Sequence, residues 1–327
     1  MTIKEVAELA GVSSAAVSRY FNGGSLSEEK RRKISEVVKE TEYKPNAAAQ
    51  LMRTGKSGQI GVIVPHIHSD TLSQIMSGIA TALEEQGYIF ILGCTGGSQE
   101  KEVRYLEAMQ RNQMEGIILM GSVLTPYLRD AIDRCEVPVV VTGQSFEGVP
   151  SVYHDDKNAM RELTGLMLKK RKKLVYIGVT EEDHAAGLAR RRGVEMAMED
   201  AGMDPRSLRS MLADFTVESG YEVMQTLLKE KPELDGVVCA TDLIAHGAMR
   251  ALKDAGKKIP RDVSIVGVGN HWSDEVSDPP LTTVKFYYRE SGRTAVEMLL
   301  GMIGPGDNRS RISQIKMGYE IVERRSI

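Results

Sequence analysis

Short hydroxyls and one arginine mark the first place where this chain could do chemistry. Ser13, Ser14, Ala15, Ser18 and Arg19 fall within seven residues. On a helix, positions 14, 15, 18 and 19 share a face. That face suits DNA: hydroxyls donate to phosphates, a methyl packs on thymine, and arginine spans a guanine edge. Small side chains read few base patterns, so Arg19 and DNA shape would carry much of the specificity.

The surrounding pattern predicts the helices that would hold this face. Ile3, Val6, Ala7 and Ala10 form one apolar stripe. Thr2 can cap that helix, and Glu5 three residues on completes a capping box. Gly11 ends it. Ser13 then caps a second helix running to Phe21, stopped by Asn22, Gly23 and Gly24. A short glycine-containing turn between two helices is a helix-turn-helix signature. Ser27 caps a third helix, with Glu28 and Glu29 in its first turn and a stripe of Ile34, Val37 and Val38. Periodicity alone fits a three-helix bundle without DNA equally well.

The charge balance leans towards DNA. Residues 1–57 hold 10 Lys+Arg and 7 Asp+Glu, whereas the other 270 are net acidic in a chain of net charge −3. A basic head on an acidic body is what a local nucleic-acid contact requires.

From Gln59 onward, apolar runs alternate with amphipathic helices. Strands are expected at 60–64, 88–92, 116–120, 137–142, 174–179, 236–240 and 264–269. Helices are expected at 71–86, 98–111, 127–135, 157–170, 187–201, 217–229 and 245–256. Strands alternating with helices imply parallel sheets covered on both faces. Two such sets predict two doubly wound lobes, with a ligand cleft beyond the strand ends.

The run TIKEVAELAGVSSAAVSRYFN at 2–22, followed by LSEEKRRKI, YKPNAAAQLMRTGKS and IGVIVP, resembles the lactose/galactose repressor family. The resemblance extends to the end of the chain. It implies an all-α helix-turn-helix headpiece over 1–57, with a hinge helix at about 45–53. It also implies an α/β body over 58–327, two doubly wound parallel-sheet lobes of periplasmic-binding-protein type. Lobe 1 is expected at about 58–152 and 286–315, and lobe 2 at about 156–281 plus the C-terminal end. Crossings are expected near Ser151–Asp155, near Thr282–Phe286 and near 313–319, with a returning helix near 289–302.

The resemblance also assigns roles. Thr2, Ser13, Ser14, Ala15, Ser18, Arg19 and Asn22 are implied at operator DNA. Asn46, Ala49, Met52 and Arg53 are implied in the hinge, with Met52 wedged into the minor groove where the family usually has leucine. Ala16 stands where the family commonly has threonine, which would remove one hydroxyl contact to phosphate. Implied effector contacts are His66, Ser69, Asp155, Asp156, Arg190, Phe215, Thr241, Asp242, Asn270, Trp272 and Tyr288. Carboxylates and arginine suit sugar hydroxyls, which both donate and accept. Each has a structural alternative: Asp155 as a helix cap, Phe215 as core, Arg190 as a solvated helix residue.

One departure concerns Gly269, where the family commonly has a sugar-holding aspartate. With Val238–Asp242 and Val152–Asp156, it makes the sensor similar to the trehalose operon repressor branch. The implied effector is a disaccharide or a sugar phosphate, such as trehalose 6-phosphate or a sucrose derivative. In that reading Arg190, Arg191 and Arg192 could hold the phosphate.

Other classes fit less well. There is no P-loop, HExxH or GxSxG motif, so an enzyme acting on sugars is not favoured. A purine- or nucleoside-responsive family member is the closer rival. No cofactor and no metal are expected, and His66-x-His68 reads as a pocket edge. Cys94, Cys135 and Cys239 are odd in number and widely spaced, which fits a reducing cytosol. The start lacks a secretory pattern, and no apolar run nears the roughly 18 residues of a membrane span. The expected partners are double-stranded operator DNA, a sugar-type effector and a second copy of the chain, with no membrane. The expected location is cytoplasmic, at the nucleoid. No leucine-heptad tail follows, so a dimer is expected rather than a tetramer.

Overall fold

Helix caps and short turns set the geometry of the first unit, which runs from Met1 to Gly58 in a computed structural model of the chain. The described residues are 1–21, 23–43, 57–67, 69–121, 123–230, 233–303 and 312–327. Helix α1 spans Ile3–Leu9, α2 Ser14–Phe21 and α3 Glu28–Thr41. The Thr2 hydroxyl accepts from the Glu5 amide at 3.3 Å, and the Glu5 carboxylate accepts from the Thr2 amide at 2.7 Å. This reciprocal pair satisfies two amides left over at a helix start. Gly11, at a φ of 61°, makes the turn into α2. Ser13 Oγ accepts from the Ala16 amide at 3.3 Å, and Ser27 caps α3.

Val6, Ala7, Ala10, Ala16, Val17, Ile34 and Tyr43 form this unit's core. Ala16 is therefore a packing residue. A hydroxyl there would lie in the core rather than on the outer face, so the alanine costs no surface contact.

The second unit runs from Gln59 to Ile327 and holds two six-stranded sheets among the described residues. The first contains β1 (Gln59–Val64), β2 (Ile89–Cys94), β3 (Gly116–Met120), β4 (Val139–Thr142), β5 (Ser151–His154) and β11 (Gln314–Met317). Its order is β11-β5-β4-β3-β1-β2, and every pairing is parallel. The second contains β6 (Leu174–Gly178), β7 (Arg209–Leu212), β8 (Gly236–Cys239), β9 (Ser264–Val268), β10 (Thr282–Phe286) and β12 (Tyr319–Val322). Its order is β12-β10-β9-β8-β6-β7, with only β12 antiparallel. The central strands β3, β6, β8 and β9 are buried throughout, as helix-covered parallel strands must be.

The helices named below are α4 (Asp70–Glu85), α7 (Asp156–Leu168), α8 (Arg190–Asp200), α10 (Asp242–Asp254), α11 (Trp272–Val276) and α12 (Tyr288–Ile303). The chain passes between sheets three times: after β5 into α7, after β10 into α12, and at Gly318 between β11 and β12. Thr282–Phe286 is wholly a strand of the second sheet, so the second passage falls at Tyr287. β7 was missed because its four residues are polar-apolar mixed and none is buried. A π-helical turn, His184–Ala189, leads into α8 and begins before the helix expected at 187.

Candidate functional site

Strands of both sheets end where the chain passes between the lobes, and a buried ion pair stands just after the first passage. Asp156 is the first residue of α7, and Arg190 is the first residue of α8. Arg190 Nε donates to Asp156 Oδ1 at 2.7 Å, and its Nη1 donates to the Ala240 carbonyl at 2.5 Å. Both side chains are buried. Burial alone would lower the guanidinium pKa, but the Asp156 carboxylate reverses this and the net shift is upward. The guanidinium carbon also lies 5.7 Å from the Phe286 ring centroid.

His154, at the end of β5, packs against Phe286 and Tyr288 with ring centroids 4.8 and 5.1 Å away. These three rings join the first two passages between lobes. The Nε2 of His154 is buried with no hydrogen-bond partner. Burial lowers its pKa to about 4, so the ring is neutral at physiological pH. Burial likewise pushes the Tyr288 hydroxyl up to about 12.

On the second lobe, Asp242 opens α10 and is fully buried. Thr283 Oγ1 donates to its Oδ1 at 2.7 Å. Burial, followed by the nearby Asp274 charge, raises the Asp242 pKa well above the usual carboxylate range. The Oδ2 atoms of Asp242 and Asp274 have no donor. Two buried carboxyls in this relation are satisfied if they share a proton. Asp274 also meets His246 Nε2 at 2.8 Å.

Two bridges cross the cleft. Gln144, after β4, donates from Nε2 to Asp183 Oδ1 at 2.8 Å and accepts from the Ala185 amide at 3.1 Å. His271 Nδ1, after β9, lies 3.0 Å from Oδ2 of Asp70 at the start of α4.

The comparisons agree with this architecture. Residues 2–46 match the family model described as bacterial regulatory proteins, lacI family. Residues 166–327 match the periplasmic binding protein-like domain. The chain is 32% identical to the HTH-type transcriptional regulator RegA of Clostridium saccharobutylicum, across 99% of this chain and 98% of that one.

The chain belongs to the LacI family.

This LacI-family chain is a DNA-binding transcription regulator. It is also 29% identical to the sucrose operon repressor of Staphylococcus xylosus, over 92% of this chain and 93% of that one. Among solved structures, the transcriptional regulator CelR–cellobiose complex matches with a TM-score of 0.76 and 27% identity, covering 100% of this chain and 99% of that one.

In the headpiece of this LacI-family chain, Ser14, Ala15 and Arg19 are exposed and Ser18 is half-buried on α2. Thr2 and Ser13 use their hydroxyl oxygens as caps. Asn22, Asn46, Ala49, Met52, Arg53 and the expected hinge helix lie outside the described residues, as does His68.

In the sensor, Asp156, Arg190, Asp242 and Tyr288 are buried near the passages between lobes, and the other expected residues take the following places. Asp155 caps α7, accepting from the Asn158 amide and side chain, and pairs with Lys316 at 2.9 Å. Ser69 and Thr241 cap α4 and α10 through the amides of Leu72 and Ile244. Asn270 takes a φ of 54°, and its Oδ1 accepts from Arg324. Phe215 is exposed, not core, and His66 is exposed. Trp272 is 76% exposed on α11, with Val276 exposed one turn on.

The three-arginine phosphate cluster is corrected too. A helix turns about 100° per residue, and here the three arginines go to different partners. Arg190 faces inward, whereas Arg191 pairs with Glu181 and Glu195, and Arg192 with Glu195 and Glu199. Arg191, Arg192, Glu181 and Glu195 line one groove together with Lys157 and His184.

Sequence reasoning missed His154, Gln144, Asp183, Thr283, Phe286 and the His271–Asp70 pair as parts of the site. Spacing held no signal for them, because each meets a partner from a distant strand end. The one usable sign was the placement of polar residues immediately after apolar strands.

Proposed function

We propose that this chain represses a carbohydrate-use operon and that a sugar bound between its lobes changes its grip on operator DNA. The observation that carries this reading is the polar floor of the cleft. A buried arginine, buried carboxylates and aromatic rings converge there from both lobes, and the passages between lobes run through the same residues. Hydroxyl-rich ligands match that mixture of acceptors, donors and ring faces. The names of its relatives, a sucrose operon repressor and a cellobiose-bound regulator, point the same way.

The mechanism is linkage. A ligand that touches both lobes favours one lobe angle over another by its differential affinity for the two. The passages between lobes, packed around His154, Phe286 and Tyr288, convert that angle into a different spacing of paired headpieces. Operator affinity then changes by the same factor as effector affinity.

Pairing is part of the proposal, because two half-sites related by a twofold axis need two headpieces. Ile89, Ile91 and Leu92 are exposed on the edge strand β2, a surface suited to a second copy. Repression would place the protein on chromosomal DNA in the cytoplasm, and it would turn over no sugar.

Anisotropy of an operator selected from random duplexes tests this, read with and without ribose, sucrose, cellobiose and trehalose. At least one sugar should change operator affinity while remaining chemically intact. Consumption of a sugar, or operator binding indifferent to a sugar that calorimetry shows to be bound, would contradict the proposal.

A further inference from the structure

The proposed sugar site uses the carboxyl ends of the second sheet. The amino ends of β6, β8 and β9 hold a different arrangement. These strands lie side by side, with Leu174 beside Gly236 and Gly236 beside Ser264. The segments that feed them, 169–173, 233–235 and 257–263, therefore emerge together. They hold eight Lys or Arg against three Asp or Glu, on a body that is otherwise acidic.

Hydrogen bonds tie the segments to one another. Asp235 Oδ1 accepts from the amides of Lys172 and Lys173 at 3.1 and 2.8 Å, and the Asp235 carbonyl accepts from the Ser264 amide at 2.9 Å. Arg171 Nε donates to Ser264 Oγ at 2.9 Å, and its Nη2 donates to the Pro260 carbonyl. Lys173 pairs with Glu233, and Arg261 with Asp262. The other five cations, Lys169, Lys170, Lys172, Lys257 and Lys258, are exposed and have no carboxylate partner among the described residues. The ammonium groups of Lys170 and Lys172 reach only carbonyls, those of Ile327 and Leu168, at 3.4 and 2.8 Å. Elsewhere on this lobe exposed arginines find acids, as Arg161 does with Asp200 and Arg191 with Glu181. Like charges gathered at one end of a sheet repel, and a bound polyanion relieves that repulsion.

The chemistry favours phosphates of a duplex over an acidic protein. None of the exposed large apolar residues falls in these segments, so the apolar centre of a protein interface is missing. The unneutralised cations are all lysines. Lysine is a compact point charge on a flexible stem that suits phosphate, whereas bidentate capture of carboxylates is the strength of arginine.

We propose that the amino end of the second sheet is a second, sequence-independent DNA-contact surface, where Lys169, Lys170, Lys172, Lys257 and Lys258 hold phosphates of a duplex other than the operator. This goes beyond the sugar reading and does not depend on it. The headpieces choose the operator, and this surface takes any neighbouring duplex. One molecule then ties two stretches of DNA together.

The test fills the headpieces of the full chain with a stoichiometric selected operator and adds no sugar. Anisotropy of a labelled random duplex of about 20 base pairs is then followed from about 50 to 200 mM salt. The wild type should bind it with a log–log salt slope of about −4, the value for four to five phosphate contacts. The combined variant Lys169→Gln, Lys170→Gln, Lys257→Gln and Lys258→Gln should weaken it about tenfold or more and flatten the slope to about −1. The same four positions changed to Arg should keep the binding, because the charge is kept. Both variants should keep the operator affinity and melting temperature of the wild type, which shows that they fold. No binding of a second duplex by the operator-filled wild type, or equal binding by the Gln variant, would overturn the surface. Displacement of the duplex by poly-glutamate at equal charge concentration would overturn the assignment to nucleic acid.

Discussion

The headpiece and the sensor cleft solve recognition in opposite ways. The headpiece keeps Ser14, Ala15 and Arg19 outside, and devotes its interior to alanine, valine, isoleucine and Tyr43. Its polar hydroxyls at Thr2, Ser13 and Ser27 serve helix starts. The cleft buries its charges: Asp156, Arg190, Asp242 and Asp274 are all inside. The contrast teaches where failure would show. Damage to a surface reader costs binding while the fold survives, whereas damage to a buried charge costs the fold first.

Arg190→Ala should have the largest effect on stability. It strands the Asp156 carboxylate without its partner, and breaking a buried pair in this way costs about 3–5 kcal/mol. Urea unfolding of the sensor reads it directly. The double variant Arg190→Met with Asp156→Leu should recover most of the loss. If the single variant unfolds like the wild type, the cleft floor is not the structural keystone described.

Acid should act next, through His154. Its pKa is near 6.5 unfolded and about 4 folded. The unfolded state binds the extra proton first, so stability falls as pH drops from about 6.5 through 4. The loss reaches about 3 kcal/mol once both states are protonated. His154→Gln should flatten that slope in melts across this window. Asp242 runs the other way. Its folded pKa is raised, so its contribution is complete at low pH and is lost as pH rises through the folded value. Asp242→Asn should remove that second slope and leave the first.

The headpiece effects are smaller in stability and visible in DNA binding. Arg19→Ala should weaken the selected operator by about 1–3 kcal/mol and relax preference at one base pair, with unfolding unchanged. Equal weakening on random DNA would mean that Arg19 holds phosphate instead. Thr2→Ala should cost about 1 kcal/mol through the lost cap, measured on the headpiece transition of the full chain.

Legibility followed the same division. Thr2, Glu5, Gly11, Ser13 and Ser27 act within a few residues of themselves, so spacing alone located the first three helices. Strand β1 and the buried central strands were readable because cover on both faces demands unbroken apolar runs. Arg190 and Asp156 came from a motif resemblance, and the structure adds that each neutralises the other. His271 and Asp70 are 201 positions apart and Gln144 and Asp183 are 39 apart, so no local pattern joins them. Asp155 and Trp272 were proposed from residue type and resemblance, and their surroundings are not visible in spacing. One is held by a helix start and Lys316, and the other lies on an exposed helix face.

The most direct measurement of the central claim is operator anisotropy on the full chain at a sugar concentration that calorimetry shows to be saturating. Arg190→Met with Asp156→Leu serves as the cleft-disabled control. The account predicts a clear shift in operator affinity for the wild type and none for the control, with equal sugar-free binding by both. An operator affinity unmoved by a saturating cleft ligand, or moved equally in the control, would contradict it.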